Sequence, residues 1–318
     1  MSAPRHYYLG IDGGQSSTTA LVANETGAIV GVGRSGPCNH VTGAEARTKF
    51  FEVVSDCLRQ ATRAIASNPA ELEFAAACLG FSGGAEDKTA YSRELVHSAR
   101  MKVTNDAEIA LTGALAGEPG IIVIAGTGSI AFGRNAEGRS ARAGGWGYLF
   151  GDEGGAFDIV RRALRAVLQQ EEGWGPKTIL TPKLLLANNS PSANHLLHYL
   201  YAQPRNLIAM FGPIVTECAN EGDSVAQNIL IESARMLSYY VEGVYRNLFR
   251  SSERIPVAPI GGVFRSERLR NAFDDQIRTT IGCDTIDPRL SPSAGAVLEA
   301  LRMDGNRSQL TGIPETKT

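Results

Sequence analysis

Two short glycine turns carry the first chemical signal in the sequence. Asp12-Gly13-Gly14 ends the apolar run of residues 7–11, and Ser16, Ser17 and Thr18 lie just beyond it. Gly126-Thr127-Gly128-Ser129 ends the apolar run of residues 120–125 in the same way. Glycines let backbone N–H groups approach phosphate oxygens with no Cβ in the way, and hydroxyls add donors. A carboxylate in the first turn, Asp12, suits a hydrated Mg2+, which takes few protein oxygens and keeps several waters. No Lys follows these glycines at the place a Walker A loop requires. The first turn is equally a tight hairpin connection that needs glycine for its backbone, and both readings stay open for it. Two hydroxyl-rich glycine turns at equivalent places in two lobes are harder to explain as turns alone. A cleft between such lobes would hold a triphosphate from both sides.

Three further groups are chemically suggestive. Asn105-Asp106 stands between a strand and a helix, where an acid is by default a helix cap. The alternative is a general base that accepts the proton of a substrate hydroxyl during phosphoryl transfer. Residues 144–155, GGWGYLFGDEGG, are poor core and poor helix composition. They read as a loop whose backbone comes close to a ligand, with Asp152 and Glu153 as acceptors for hydroxyls beside aromatic faces, a common way to hold a sugar. Either carboxylate would also serve as cap for the helix that follows from Ala156. Asn39 and His40 form a small polar cluster, with His40 read as a structural hydrogen-bond partner. Gly261-Gly262, after the strand PVAPI, would let a nucleoside lie against the backbone or would simply turn a strand into a helix.

The elements expected to position these groups alternate between strand and helix. Strands are read at residues 7–11, 17–23, 28–34, 74–81 and 101–104, with helices at 50–65, 87–100 and 108–116. The pattern restarts with strands at 120–125 and 130–134, the turn 135–138, and helices at 152–170, 178–187, 206–220 and 223–249. A strand at 256–260 and a last helix at 293–302 complete it; residues 171–205 carry no motif. This mixture is an α/β architecture of two lobes around a cleft. The first lobe is read as residues 1–117 with the C-terminal segment 293–318 packing on it, the second as residues 118–292.

Composition bounds the function classes. The 318 residues are 43% hydrophobic and 20% charged with a formal net charge of -2, which gives no broad attraction to nucleic acid or anionic lipid. No apolar run is long enough to span a bilayer, so no membrane association is expected. Five Cys (Cys38, Cys57, Cys78, Cys218, Cys283) are scattered and never paired as CxxC. That spacing suits neither a disulfide framework nor a tetrahedral zinc site, and reduced thiols in the cytoplasm are expected.

Taken together, IDGGQSST, the Asn39 loop, residues 81–84 (FSGG), 104–107 (TNDA), IAGTGS, GGWGYLFGDEGG and IGGVF resemble, in order, the N-acetylglucosamine kinases. These belong to the wider BadF/BadG/BcrA/BcrD-type ATPase family of the actin/hexokinase superfamily. The resemblance runs from Leu9 to about Ala300. It implies two ribonuclease-H-like, actin-like ATPase lobes with a central cleft for nucleotide and sugar, using ATP and Mg2+. By position it implies Asp12 on Mg2+ through water, and Gly13, Gly14, Ser16, Gly126 and Thr127 on phosphate. It gives Asp106 the role of base on the sugar's 6-hydroxyl, displacing the cap reading. Asn39, Ser129, Gly145, Trp146 and Asp152, with Asp106, would line the sugar site, and Gly261 with Gly262 the adenosine site. The implied substrate is a small amino sugar, N-acetylglucosamine first, with glucosamine or N-acetylmuramic acid as alternatives; a homodimer is also implied. A further alternative is an activator ATPase for acyl-CoA dehydratases or reductases. Such proteins need thiolates for a [4Fe–4S] cluster, and no Cys lies between Cys78 and Cys218 here. Ile130 and Ala143 depart from the pattern of the animal members, which have Asn and Cys there.

Overall fold

The structure is a computed structural model, and it describes residues 6–14, 17–38, 44–66, 72–83 and 86–314. The chain divides into two compact units, Met1–Glu118 with Pro288–Thr318, and Pro119–Asp287.

The first unit is built on a five-stranded sheet. Its strands are β1 (Tyr7–Gly13), β2 (Thr18–Asn24), β3 (Ile29–Ser35), β4 (Ala76–Phe81) and β5 (Met101–Asn105), in the order β3-β2-β1-β4-β5. The first three pair antiparallel, while β4 and β5 join parallel to β1. Alternate side chains serve opposite faces, as the period of two requires. Leu9, Ile11, Ala20 and Val22 pack with Phe50, Val54 and Leu58 of helix α1 (Ala44–Thr62). Tyr8, Leu21 and Ala23 pack with Ile109 of α3 (Asp106–Ala114) and with Ala294, Val297 and Leu301 of a helix near the C-terminus, Pro292–Met303. That helix lies directly on β1: a Cβ on Gly10 would sit 2.5 Å from the Val297 backbone nitrogen. Between β4 and β5 runs α2 (Glu86–Leu95). It stops short of the expected residue 100 because Phe74 exchanges backbone bonds with His97 and Ala99, drawing the chain into an extended bridge. Buried Glu299 accepts from the Thr112 hydroxyl at 2.6 Å, with Lys102 3.7 Å away, which compensates its burial.

The second unit has a four-stranded sheet of β6 (Gly120–Ala125), β7 (Ser129–Arg134), β8 (Ser140–Gly144) and β9 (Val257–Ile260), in the order β8-β7-β6-β9. The run GIIVIA forms a central strand with antiparallel β7 on one side and parallel β9 on the other, which explains its continuous apolar character. Strand β8 adds a return to the expected hairpin, and its register sets Gly144 opposite Ile130. The helices are α4 (Ala156–Glu171), α5 (Leu180–Ala187), α6 (Ala193–Tyr201), α7 (Arg205–Ala209), α8 (Gly212–Asn220), α9 (Ser224–Leu248) and α10 (Glu267–Ile281); the helix Pro292–Met303 is then α11. Leu237, Val241 and Val244 of α9 join Ile121, Val123 and Ala131 in one core. Where one helix is expected over 206–220, the chain breaks at Met210-Phe211, just before Gly212-Pro213, since Pro lacks an N–H and fits the first turn of a new helix. Among the described residues no helix is long and apolar enough to cross a membrane.

Candidate active site

Asp12 and Asp106 belong to one electrostatic group in the first unit. Asp12 is the penultimate residue of β1, paired in the sheet with Thr19 and Gly80. Asp106 opens α3, directly after β5. Burial, with the charge of Asp106 added, pushes the Asp12 carboxyl up to about 7. Burial raises Asp106 as well, while the N–H groups of Ala107 and of Asp106 itself, and the Lys88 ammonium, oppose the rise. The cap of α3 is Asn105, whose Oδ1 accepts the Glu108 N–H at 2.8 Å. Asp106 is therefore not the N-cap. Lys88 of α2 is a cation the sequence reading missed. Its ammonium donates to the Ser82 carbonyl and lies 5.7 Å from the Phe81 ring centroid. No motif marks it in a helix that reads as plain polar surface.

Gly13 has a packing reason to be glycine: a Cβ there would sit 2.3 Å from the Phe81 ring and 2.8 Å from Cys38 Sγ. The turn closes with Gly14 N–H donating to the Ser17 carbonyl at 2.9 Å. A hollow of about 330 Å3, bordered by Asp12, Ser17, Thr19 and Ser293, adjoins the carboxylate. Ser16, Asn39 and His40 lie outside the described residues.

In the second unit the Gly126–Ser129 turn is stacked on the start of α4. The Ala156 and Phe157 N–H groups donate to the Gly126 and Thr127 carbonyls at 2.8 and 3.1 Å. Gly126 and Thr127 meet Gly262 on a cavity of about 520 Å3, whose remaining wall is largely apolar, with Ile159, Met210, Pro213 and Leu230. Gly126 and Gly262 leave open space where a Cβ would point. Gly261 sits one residue back at φ +112°, where a Cβ would be 2.3 Å from the Ala125 carbonyl oxygen. Also on the cavity is Ser266, 4% exposed, whose Oγ has no hydrogen-bond partner among the described residues. Only its place after IGGVF could have pointed to it.

The loop of residues 144–155 is joined to the same turn. Gly145 N–H donates to the Ser129 carbonyl at 3.0 Å, and Asp152 Oδ1 accepts the Ser129 N–H at 3.2 Å. Asp152 Oδ2 takes the Arg205 guanidinium at 3.0 Å. Asp152 holds a left-handed φ of +62°, and a Cβ on Gly128 would lie 2.4 Å from its carboxylate. Neither Asp152 nor Glu153 caps α4: its N-cap is Gly155, and Asp158 accepts the Gly154 N–H at 3.1 Å. Ser129 Oγ donates to the Glu153 carbonyl at 2.7 Å. Trp146 is 66% exposed, with the Arg142 guanidinium 4.6 Å from its ring centroid. Ile130 packs beneath Gly145, and Ala143 faces Gly243. Arg205 and Tyr240, which reach this loop from α7 and α9, carried no signal in the sequence.

Two α/β units, each with a small-residue turn at the end of its leading strand, define the actin-like ATPase class of folds. Within that class the chain belongs to the BadF/BadG/BcrA/BcrD ATPase family, whose model matches residues 9–300. It is 35% identical over 269 residues to an N-acetylmuramic acid/N-acetylglucosamine kinase of Clostridium acetobutylicum, covering 82% of this chain and 86% of that one. An N-acetyl-D-glucosamine kinase of Dictyostelium discoideum is 30% identical over 314 residues, covering 93% and 98%. A crystal structure of a candidate N-acetylglucosamine kinase from Chromobacterium violaceum superposes with a TM-score of 0.75 at 25% identity, covering 92% of this chain and 98% of that one.

Proposed function

We propose that the protein transfers the γ-phosphoryl group of ATP to the 6-hydroxyl of an amino sugar, with N-acetylglucosamine as first substrate. Asp106 carries this reading. A carboxylate at the first position of a helix whose cap is already filled by Asn105 is not needed as the cap and can serve proton transfer. Its raised proton affinity suits a group that must accept a proton near neutral pH. ATP places its nucleoside in the cavity of the second unit against Gly262, with Gly261 holding the backbone behind it. By the family resemblance its phosphates would contact Gly126 and Thr127 of the second unit, and Gly13, Gly14 and Ser16 of the first. By the same resemblance Ser129, Gly145, Trp146 and Asp152 of the second unit would contact the sugar, as would Asn39, which lies outside the described residues, and Asp106 of the first unit would take the proton of the attacking hydroxyl. Excluding water from the γ-phosphate requires closure around the bound substrates.

The Asp12 site fits Mg2+. Burial first, and then the Asp106 charge, raise the proton affinity of Asp12; a cation would relieve both, and the hollow that Asp12 borders has room for the waters magnesium retains. Asp12 would hold it through water, where it would neutralise charge on the phosphates.

Relatives named for N-acetylglucosamine and N-acetylmuramic acid support the sugar class. Ile130 beneath Gly145 gives this end of the loop apolar surface, which favours an N-acetyl substituent over the free ammonium of glucosamine. A second reading, N-acetylmuramic acid, is favoured by Arg142 beside Trp146, a cation for the extra carboxylate of that sugar. Coupled measurement of ADP release across N-acetylglucosamine, N-acetylmuramic acid, glucosamine and glucose tests the reading. Turnover highest with an N-acetylated sugar is expected, and no sugar-dependent turnover overturns it.

A further inference from the structure

Asp152 and Glu153 are adjacent in sequence but differently committed. Both oxygens of Asp152 already have protein donors, the Ser129 N–H and the Arg205 guanidinium, and its side chain is only 8% exposed. Glu153 has one oxygen engaged: Oε2 accepts the Tyr240 hydroxyl. Oε1 has no hydrogen-bond partner among the described residues, and the side chain is half-buried. The Glu153 backbone is fixed twice more, its N–H donating to Tyr240 Oη at 3.3 Å and its carbonyl accepting from Ser129 Oγ.

Tyr240 also reaches the other end of the loop. Its ring lies over Gly144, where a Cβ would come within 2.6 Å of it and where φ is +78°. One side chain of α9 thus touches the first residue of the glycine loop and orients a carboxylate near its last. Burial first, and then the Glu153 carboxylate, push the phenol's proton affinity up, so Tyr240 stays a donor at neutral pH.

We propose that Glu153, through Oε1, accepts a hydroxyl of the sugar, and that Tyr240 is the positioning residue that aims it. This deepens the sugar-kinase reading and rests on it. Asp152 is held in the loop by the Ser129 N–H and Arg205, and Glu153 adds a second carboxylate whose Oε1 is uncommitted among the described residues. A hydroxyl bound to an ionised acceptor makes one of the stronger hydrogen bonds available to a sugar.

The experiment uses the full chain, with ADP release measured against sugar and ATP separately. Glu153→Gln is expected to raise the KM for N-acetylglucosamine about 10- to 100-fold, the range for losing one charged hydrogen bond. Tyr240→Phe keeps the ring over Gly144 and removes only the hydroxyl. It is expected to raise the sugar KM about 5- to 10-fold and to leave the ATP KM within about two-fold. The double variant should be no worse than Glu153→Gln alone, because Tyr240 acts through that carboxylate. An unchanged sugar KM in Glu153→Gln, equal increases for both substrates in Tyr240→Phe, or additive effects in the double variant overturn the proposal. Absence of sugar-dependent turnover in the unaltered protein would instead overturn the kinase reading, and this inference with it.

Discussion

Replacing Asp106 with Asn tests whether that residue serves chemistry or folding, because the structure predicts opposite outcomes for the two. The cap of α3 is provided by Asn105 at 2.8 Å from the Glu108 nitrogen and survives the substitution. The N–H groups of Ala107 and residue 106 that bond the carboxylate can bond an amide oxygen as well. Burial raises the carboxyl's proton affinity in the folded protein, so above the ordinary carboxylate range its ionised form is less favourable folded than unfolded. Removing the charge should leave stability unchanged or slightly increased at pH 7, when measured without Mg2+. Asp12 loses a like charge at the same time. Turnover should fall about 10^2- to 10^4-fold, which is about 3–5 kcal/mol of transition-state stabilisation. Binding of an unreactive ATP analogue, followed by its effect on Tm, should persist. Asn105→Ala is the contrasting control: it removes the cap, costs about 1 kcal/mol, and lowers Tm by about 2–4 °C for a unit of this size. Turnover of Asp106→Asn within about ten-fold of the unaltered protein would refute the base assignment. A loss of Tm matching the Asn105→Ala control would return Asp106 to a structural role.

The two glycines that follow β9 should respond differently. Gly262→Val directs a side chain into open space on the cavity wall. It should raise the KM for ATP more than about ten-fold with little change in Tm, since no protein atom must move. Gly261→Ala meets the Ala125 carbonyl at 2.3 Å and imposes a left-handed φ, so it should lower Tm. Equal effects of the two on Tm would show that the cavity wall is not arranged as described. Asp158, 1% exposed, feels burial first, which favours protonation; the Gly154 N–H, Arg161 and Arg162 outweigh it and hold its carboxyl below the ordinary carboxylate range. The stability it provides is complete above its unfolded value of about 4 and fades as pH falls through the lowered folded value. Asp158→Asn should therefore lower Tm at pH 7, and its deficit against the unaltered protein should shrink toward pH 3; a deficit constant with pH would rule out this ion cluster as the source.

Much of the scaffold was legible in the sequence because it depends on neighbours in the chain. The strand ends at Asp12-Gly13 and Ala125-Gly126, the boundary at Asn105-Asp106 and the start of α11 all follow from local periodicity and turn chemistry. Strand β8 and helix α6 give no signal in the sequence, and the helical spacing over 206–220 runs across the break between α7 and α8, which only Gly212-Pro213 marks. The site divides the same way. Asp106 is released from capping by the residue beside it. Asp152 and Glu153 are committed by Arg205 and Tyr240, 53 and 87 residues away, and no spacing rule reaches that far.

The glycines sharpen what such a reading can carry. Their clustering reads as backbone that a ligand approaches, but at several of these glycines the close neighbour is the protein itself. At Gly13 it is the Phe81 ring, at Gly128 the Asp152 carboxylate, and at Gly155 the backbone of Gly128 and Thr127. At Gly126 and Gly262 no protein atom lies within 4 Å of the missing Cβ. The first three glycines let the loops pack against one another, and the last two border the cavity of about 520 Å3. Side chains added at Gly126 or Gly262 should therefore interfere with a nucleotide before they disturb the fold, whereas at Gly13, Gly128 or Gly155 the fold should yield first.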